Sequence, residues 1–179
     1  MEDWWEYSLV YQIAQSGIAD NWQILWYFAS VWFWVPLFIS ALVYLKVSGL
    51  HYFSIALYAM IPMLAFSTAA LLAYVFGQKG PADYEEIRLL SNSVRMLYSG
   101  SEGSIPYPAA ALWASICVLC FPTAQNRFHS TILIFLMGTA AVVSLLAGFL
   151  TLQFFISDVL AGIVWGITIT FASRNFTSI

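Results

Sequence analysis

The sequence predicts an all-α integral membrane protein, a transmembrane bundle of about five helices preceded by an N-terminal interfacial helix. Two observations predict it. Hydrophobic residues make up 61% of the 179 residues and charged residues only 8%, whereas about 25% of a typical soluble domain is charged. The few charges lie at the ends of long uncharged runs, and about 20 apolar residues are needed to span a bilayer as a helix. Lipid would therefore replace water around most of this surface.

The uncharged runs define the predicted spans. No charged residue lies between Asp20 and Lys46, so the first span is placed there, with Pro36 expected to bend it. A polar segment and a short loop separate the later runs. The five spans are predicted at Gln23–Tyr44, Tyr52–Phe76, Tyr107–Phe121, Ser130–Leu150 and Ser157–Ala172, and the connections at Gly77–Pro106 and Pro122–His129.

Residues 1–21 form a different kind of segment from the bundle at residues 22–179. Trp5, Leu9 and Ile13 recur at helical spacing, while most polar residues fall elsewhere. This pattern predicts a short amphipathic helix lying on the membrane interface, with Trp4 and Trp5 as anchors. The alternative is a lid over a neighbouring site.

The orientation follows from the basic residues in the short connections. With five spans, Lys46, Arg127 and Arg174 share one side of the membrane, and that side is cytoplasmic by the positive-inside rule. The N-terminus and the loop 77–106 are then extracytoplasmic, and the C-terminus is cytoplasmic.

Charge and cysteine usage narrow the partners and cofactors. The net charge is −3, so nucleic acid is not expected as a partner. Cys117 and Cys120 have the spacing of a redox or zinc motif but no second pair completes a site, and we interpret them as small apolar side chains on a membrane helix. No pattern indicates a metal, haem or nucleotide, and no cofactor is predicted. The expected partners are membrane lipids and other integral membrane proteins, or a second copy of this chain.

Four stretches together suggest a family. They are Ser157–Gly162 (SDVLAG), Val31–Leu37 (VWFWVPL), Ser104–Pro106 followed by Ala109–Ala111, and Phe76-Gly77 with Pro81 farther on. In order and spacing they resemble the third motif (S-R-x-x-x-G-x-H-x-x-x-D), an early helix, the second motif (P-S-G-H) and the first motif (K-x6-R-P) of the type-2 phosphatidic acid phosphatase superfamily. These are integral-membrane lipid phosphate phosphatases related to vanadium haloperoxidases. The resemblance implies their helical bundle and a bacterial inner membrane.

The resemblance also implies which residues would carry chemistry. In the family a histidine attacks the phosphorus, an aspartate orients it, basic groups neutralise the phosphoryl charge and a second histidine protonates the leaving oxygen. Only Asp158 keeps its family identity here. The nucleophilic histidine falls on Phe154 and the third-motif arginine on Gly148; the second-motif serine, glycine and acid histidine fall on Tyr107, Pro108 and Ala109; the first-motif lysine and arginine fall on Ala73 and Gly80.

The two histidines of the chain do not fill these places. His51 and His129 lie next to Lys46 and Arg127 in sequence, on the predicted cytoplasmic side and a membrane thickness from the motifs. The resemblance therefore implies a catalytically inactive lipid-phosphatase-like protein that acts as a subunit or scaffold of a membrane complex. A less favoured interpretation is an active phosphatase that uses substitute residues.

A second hypothesis is a protein that binds a phospholipid or polyprenyl phosphate. Lys79, Arg88 and Arg95 could form a basic cradle for its headgroup, or they could pair with the acids of a solvated loop. The loop acids are Asp83, Glu85, Glu86 and Glu102.

Asp158 also has two interpretations, because it could cap the last helix or accept a hydrogen bond from Tyr107.

Overall fold

The computed structural model describes residues 5–47, 49, 52–76, 80–92, 107–120 and 127–177. Among these residues the regular structure is helical. A 3-10 turn at Pro81–Asp83 accompanies nine α-helices. These helices are α1 (Trp5–Gln15), α2 (Ile18–Asn21), α3 (Ile24–Ala29), α4 (Val31–Val47), α5 (Tyr52–Phe76), α6 (Glu85–Leu90), α7 (Pro108–Cys120), α8 (Arg127–Leu150) and α9 (Ile156–Thr177).

Three helices are long and apolar enough to cross a membrane. They are α5, the part of α8 at Leu133–Leu150 and the part of α9 at Ile156–Ser173. Two shorter apolar helical segments, Trp32–Tyr44 and Pro108–Leu119, accompany them. Helices of this length and composition are characteristic of an integral membrane protein.

The first predicted span is not one continuous helix. The chain leaves the helical conformation at Ser30, where φ is −87° and ψ is 162°, and this residue separates α3 from α4. The Ser30 hydroxyl donates to the carbonyl oxygen of Tyr27 at 2.7 Å. A serine that bonds locally to the backbone competes with helix propagation. Pro36, which was expected to bend this span, lies inside α4.

The bundle is built around α7, which packs against α5, α8 and α9. Its contact with α9 is the closest, because a Cβ atom at Gly162 or Gly166 would overlap backbone atoms of Tyr107 or Ala111. The two glycines are four residues apart, the spacing that lets helix backbones approach closely in membranes. Farther along, the Thr170 hydroxyl donates to the Ser115 hydroxyl oxygen at 2.7 Å.

Short elements at residues 5–22 and 80–92 form a unit that we call the cap. Helix α1 buries Val10 and Ala14, which pack with Ile87 of α6 and with Leu152 and Phe155 between α8 and α9. The cap therefore rests directly on the ends of the long helices.

Helix α1 buries an acidic residue that the sequence pattern placed on its polar side. Glu6 is only 2% exposed, whereas Trp5, predicted as a membrane anchor, is exposed on the surface of the protein. The reason is a specific partner. The Glu6 carboxylate accepts hydrogen bonds from the backbone N–H and the hydroxyl of Ser157, at 2.8 and 2.9 Å, and a buried carboxylate is tolerated when such donors satisfy it.

Candidate functional site

The turn between α8 and α9 brings the third-motif positions together. The Leu152 N–H donates to the Phe149 carbonyl oxygen, and the Gln153 N–H donates to the Gly148 carbonyl oxygen, both at 3.0 Å. This pair of bonds is a Schellman motif, which needs a left-handed residue after the helix end. Leu152 provides it, with φ of 63°. The reversal of the chain carries Phe154 back over the last turns of α8.

The Phe154 ring lies against Gly148. Phe154 is 1% exposed, and a Cβ atom built on Gly148 would lie 2.5 Å from its Cε1 atom. On its other side the ring packs on Tyr107, with 4.0 Å between the ring centroids and 44° between the planes. The position that the resemblance assigns to the nucleophile thus holds the Phe154 ring. The position that it assigns to an arginine is Gly148, which leaves room for this ring.

Tyr107 connects this ring to both ends of the turn. Its hydroxyl donates to Oε1 of Gln153 at 3.3 Å, and its backbone N–H donates to the carbonyl oxygen of Asp158 at 3.0 Å. Sequence reasoning missed Gln153, because an isolated glutamine carries no motif.

Asp158 caps the last helix. It is fully buried, three residues after Phe155, and its Oδ2 atom accepts the Phe155 N–H at 2.9 Å. This is the reciprocal half of a capping box, and it confirms the capping interpretation. The alternative contact is wrong, since the Tyr107 hydroxyl bonds to Gln153 instead and Tyr107 reaches Asp158 only through the backbone.

The other assigned positions also lack ionisable side chains. Ala73 is buried in α5, and Ala109 is half-buried in the first turn of α7. Gly80 is buried at the start of the 3-10 turn, where its N–H donates to Oδ2 of Asp83 at 2.8 Å. None of these three side chains can transfer a proton or neutralise a phosphoryl group.

The proposed basic cradle is only partly described. Lys79 and Arg95 lie outside the described residues, and Arg88 is exposed on α6. Two of the neighbouring acids have other partners, because Asp83 accepts the Gly80 N–H and Glu86 accepts the Tyr7 hydroxyl at 2.8 Å. Glu85 is exposed, and Glu102 lies outside the described residues. The phosphate-binding role of the three basic residues stays a prediction.

The described structure places no histidine beside Phe154. His51 lies outside the described residues, and His129 lies in the first turn of α8. Nineteen residues separate His129 from Gly148 along this helix, a distance of about 29 Å at the helical rise. Among the described residues, no three His, Cys, Asp or Glu side chains come together to hold a metal ion.

Comparison with protein-family models, curated proteins and solved structures finds no match for this chain. The described residues form a helical protein in which three helices are long and apolar enough to cross a membrane. Its distinctive local feature is the closed aromatic contact of Phe154 with Gly148 and Tyr107.

Proposed function

We propose that this chain is a catalytically inactive, lipid-phosphatase-like integral membrane protein that acts as a subunit or scaffold of a membrane complex. One observation carries the proposal. The Phe154 ring fills the space beside Gly148 and contacts Tyr107, so the place where the resemblance expects a nucleophile and its substrate is packed with carbon atoms.

Phosphoryl transfer makes demands that this arrangement does not meet. It needs a nucleophile, a proton donor for the leaving oxygen and groups that neutralise charge on the phosphoryl oxygens. A phenylalanine ring at the position that the resemblance assigns to the nucleophile supplies none of these. Packing apolar rings in place of charged groups also avoids the desolvation cost of burying charge, and this favours stability of the bundle over turnover.

The proposal includes a five-span topology in a bacterial inner membrane. The cap contacts the end of α8 and the start of α9, so the opposite ends of these helices, near Arg127 and Arg174, point away from it. Lys46 lies in the last turn of α4, whose preceding helix α3 contributes Trp26 to the cap contacts. The basic residues would therefore be cytoplasmic, and the cap and the loop 77–106 extracytoplasmic.

A partner would contact the chain mainly within the membrane. The small residues Ala110, Ala111, Ala140 and Ala141 are not available for this contact, because all four are buried within the chain. Small residues allow two helices to approach each other closely. Here they allow α7 and α8 to pack inside this bundle.

Native mass spectrometry of the protein, extracted from its own membrane in a mild detergent, tests the subunit role. We expect a mass that includes one or more other polypeptides, or further copies of this chain, at fixed stoichiometry. A single chain carrying a discrete phosphate-bearing lipid would contradict this role and favour lipid binding.

An assay of phosphate release from phosphatidic acid and from a polyprenyl phosphate tests the absence of catalysis. We expect the purified chain to release no more phosphate than a mock purification from membranes that lack it. The Asp158→Asn variant is the matched control. Release that exceeds the mock sample and falls in this variant would show that the chain is an enzyme.

A further inference from the structure

The aromatic residues of α5 mark two levels along the bundle. Tyr52 and Phe53 are exposed at its start, and Tyr74 and Phe76 are exposed at its end. Tyr52 and Tyr74 are 22 residues apart, or about 33 Å at the helical rise, close to the roughly 30 Å hydrocarbon thickness of a bilayer. The ammonium of Lys46 lies 3.4 Å from the centroid of the Tyr52 ring, as expected at an interface that holds both aromatic and basic groups.

The cap lies at the second of these levels. Its buried side chains pack on Phe149, Leu152 and Phe155, which are the last turn of α8, the turn itself and the residue before α9. No further layer of described protein separates the cap from the ends of the long helices. The cap is therefore placed where headgroups meet acyl chains, and not in bulk water.

The carboxylates of the cap are turned toward internal donors. Of the five in its described residues, four accept a hydrogen bond from within the chain. Glu6 accepts from Ser157, Asp20 from Ser91 and Asn92, Asp83 from Gly80, and Glu86 from Tyr7. Glu85 and Glu86 are both exposed.

Large apolar side chains of the cap point outward instead. Trp5 is 59% exposed and Leu89 is 68% exposed, and Trp22, directly after α2, is 62% exposed. The arrangement suits a surface that contacts lipid, because tryptophan and leucine partition into the interface.

We propose that the outward surface of the cap, formed by Trp5, Trp22 and Leu89, inserts into the headgroup region of the lipid bilayer. The insertion is driven by apolar contact and not by charge, because the described cap holds five carboxylates and a single cation, Arg88. Insertion of the cap does not depend on the subunit role. With the cap surface in contact with lipid, the membrane helices remain accessible to protein partners.

Spin labelling tests this proposal on the full chain. Cysteine is introduced at Trp5, Trp22 or Leu89 in a Cys117→Ala, Cys120→Ala background, and the labelled protein is reconstituted in phosphatidylcholine vesicles. Arg88→Cys is the matched control, since Arg88 is exposed on the same short helix as Leu89 and lies about 100° around the helix from it. We expect the three apolar positions to be relaxed by oxygen and protected from a water-soluble nickel complex, and position 88 to be open to the nickel complex.

Two results would overturn the proposal. Access of the nickel complex to all four positions would place the cap in water. Protection of the three positions from both reagents would show that protein covers them. A second measurement avoids labels altogether, because lipids brominated near the headgroup should quench less of the tryptophan fluorescence in a Trp5→Phe, Trp22→Phe variant. Equal quenching of the variant and the parent chain would also contradict insertion.

Discussion

At Gly148 the ordinary preference of a helix for alanine over glycine is reversed. Alanine normally stabilises a helix by about 1 kcal/mol relative to glycine. Here its Cβ atom would lie 2.5 Å from the Phe154 ring, and the fully buried ring has little freedom to move away. We expect Gly148→Ala to destabilise the protein by about 1–3 kcal/mol, the usual cost of overpacking, measured by thermal unfolding in detergent.

The control for this prediction lies on the same helix. A Cβ atom at Gly138 would meet nothing within 4 Å, so Gly138→Ala should be neutral or stabilising. Combining Gly148→Ala with Phe154→Leu should recover part of the loss, since the two positions are in contact and should not be additive. Equal melting temperatures for Gly148→Ala and Gly138→Ala would show that Phe154 does not occupy this space.

Leu152 combines a strained backbone with a buried side chain. Its φ of 63° lies in the left-handed region, which costs a branched L-residue about 1–2 kcal/mol, while its side chain is fully buried in contact with the cap. Leu152→Ala loses the side chain and keeps the strain, whereas Leu152→Gly loses both. We expect both variants to be less stable than the parent, with glycine about 1 kcal/mol better than alanine. Chemical denaturation in detergent would show the order, and a more stable alanine variant would contradict the left-handed geometry.

At the scale of elements, a single side chain joins α1 to α9. The Glu6 carboxylate satisfies the Ser157 N–H and hydroxyl, and its negative charge lies at the positive end of the α9 dipole. Glu6→Ala should therefore destabilise the protein by about 1–2 kcal/mol, and Glu6→Gln, which keeps an acceptor oxygen, should lose less. Hydrogen exchange at the start of α9 should accelerate in the alanine variant.

Glu85→Ala is the control for this contact, because Glu85 is an exposed cap acid and surface substitutions of this kind usually stay within about 0.5 kcal/mol. Glu6→Ala and Ser157→Ala should also be non-additive when combined. Full additivity of the two substitutions, or faster hydrogen exchange in α1 with unaltered exchange in α9, would argue against stabilisation of α9 by the Glu6 side chain.

Among the glycine-to-alanine substitutions, we expect the largest loss of stability at the contact between α7 and α9. A Cβ atom at Gly166 would overlap the backbone carbonyl of Ala111, and backbone cannot rotate aside as a side chain can. Gly166→Ala should therefore destabilise the protein more than Gly148→Ala, where the obstacle is a ring. Thermal unfolding of the two variants beside Gly138→Ala gives the comparison, and a Gly166→Ala protein as stable as the Gly138→Ala protein would exclude the close approach.

The sequence predicted the long helices well, because their signal is local. An uncharged run ends where charged or polar residues begin, and the predicted Tyr52–Phe76 agrees with α5 at both ends. The break at Ser30 and the burial of Glu6 were missed, since each depends on a particular hydrogen bond. Glu6 and Ser157 are 151 residues apart, and no periodicity in either segment indicates the pairing. The spacing of Gly162 and Gly166 was a usable signal that the sequence analysis overlooked.

The same contrast holds for the candidate site. The absence of histidine from the motif positions can be seen in the sequence, and it predicts that the family's chemistry is missing. How the residues at these positions would pack could not be predicted from the sequence. That depends on Leu152 adopting a left-handed conformation, which leucine disfavours, and on Gly148 leaving room for Phe154.

At the scale of the whole molecule, the spacing of the aromatic residues on α5 predicts the bilayer in which the protein is most stable. Tyr52 and Tyr74 are about 33 Å apart along the helix, and both are exposed. A much thinner bilayer would leave apolar surface of α5 in water, and a much thicker one would bury its interfacial rings, each at a modest cost per ångström. In phosphatidylcholine vesicles of increasing chain length, we expect the melting temperature to pass through a maximum at a hydrocarbon thickness of about 30 Å. Tyr52→Leu, Tyr74→Leu is the matched variant, and its maximum should be broader because it lacks both interfacial anchors. A melting temperature that does not depend on chain length would mean that α5 does not cross the bilayer along its full length.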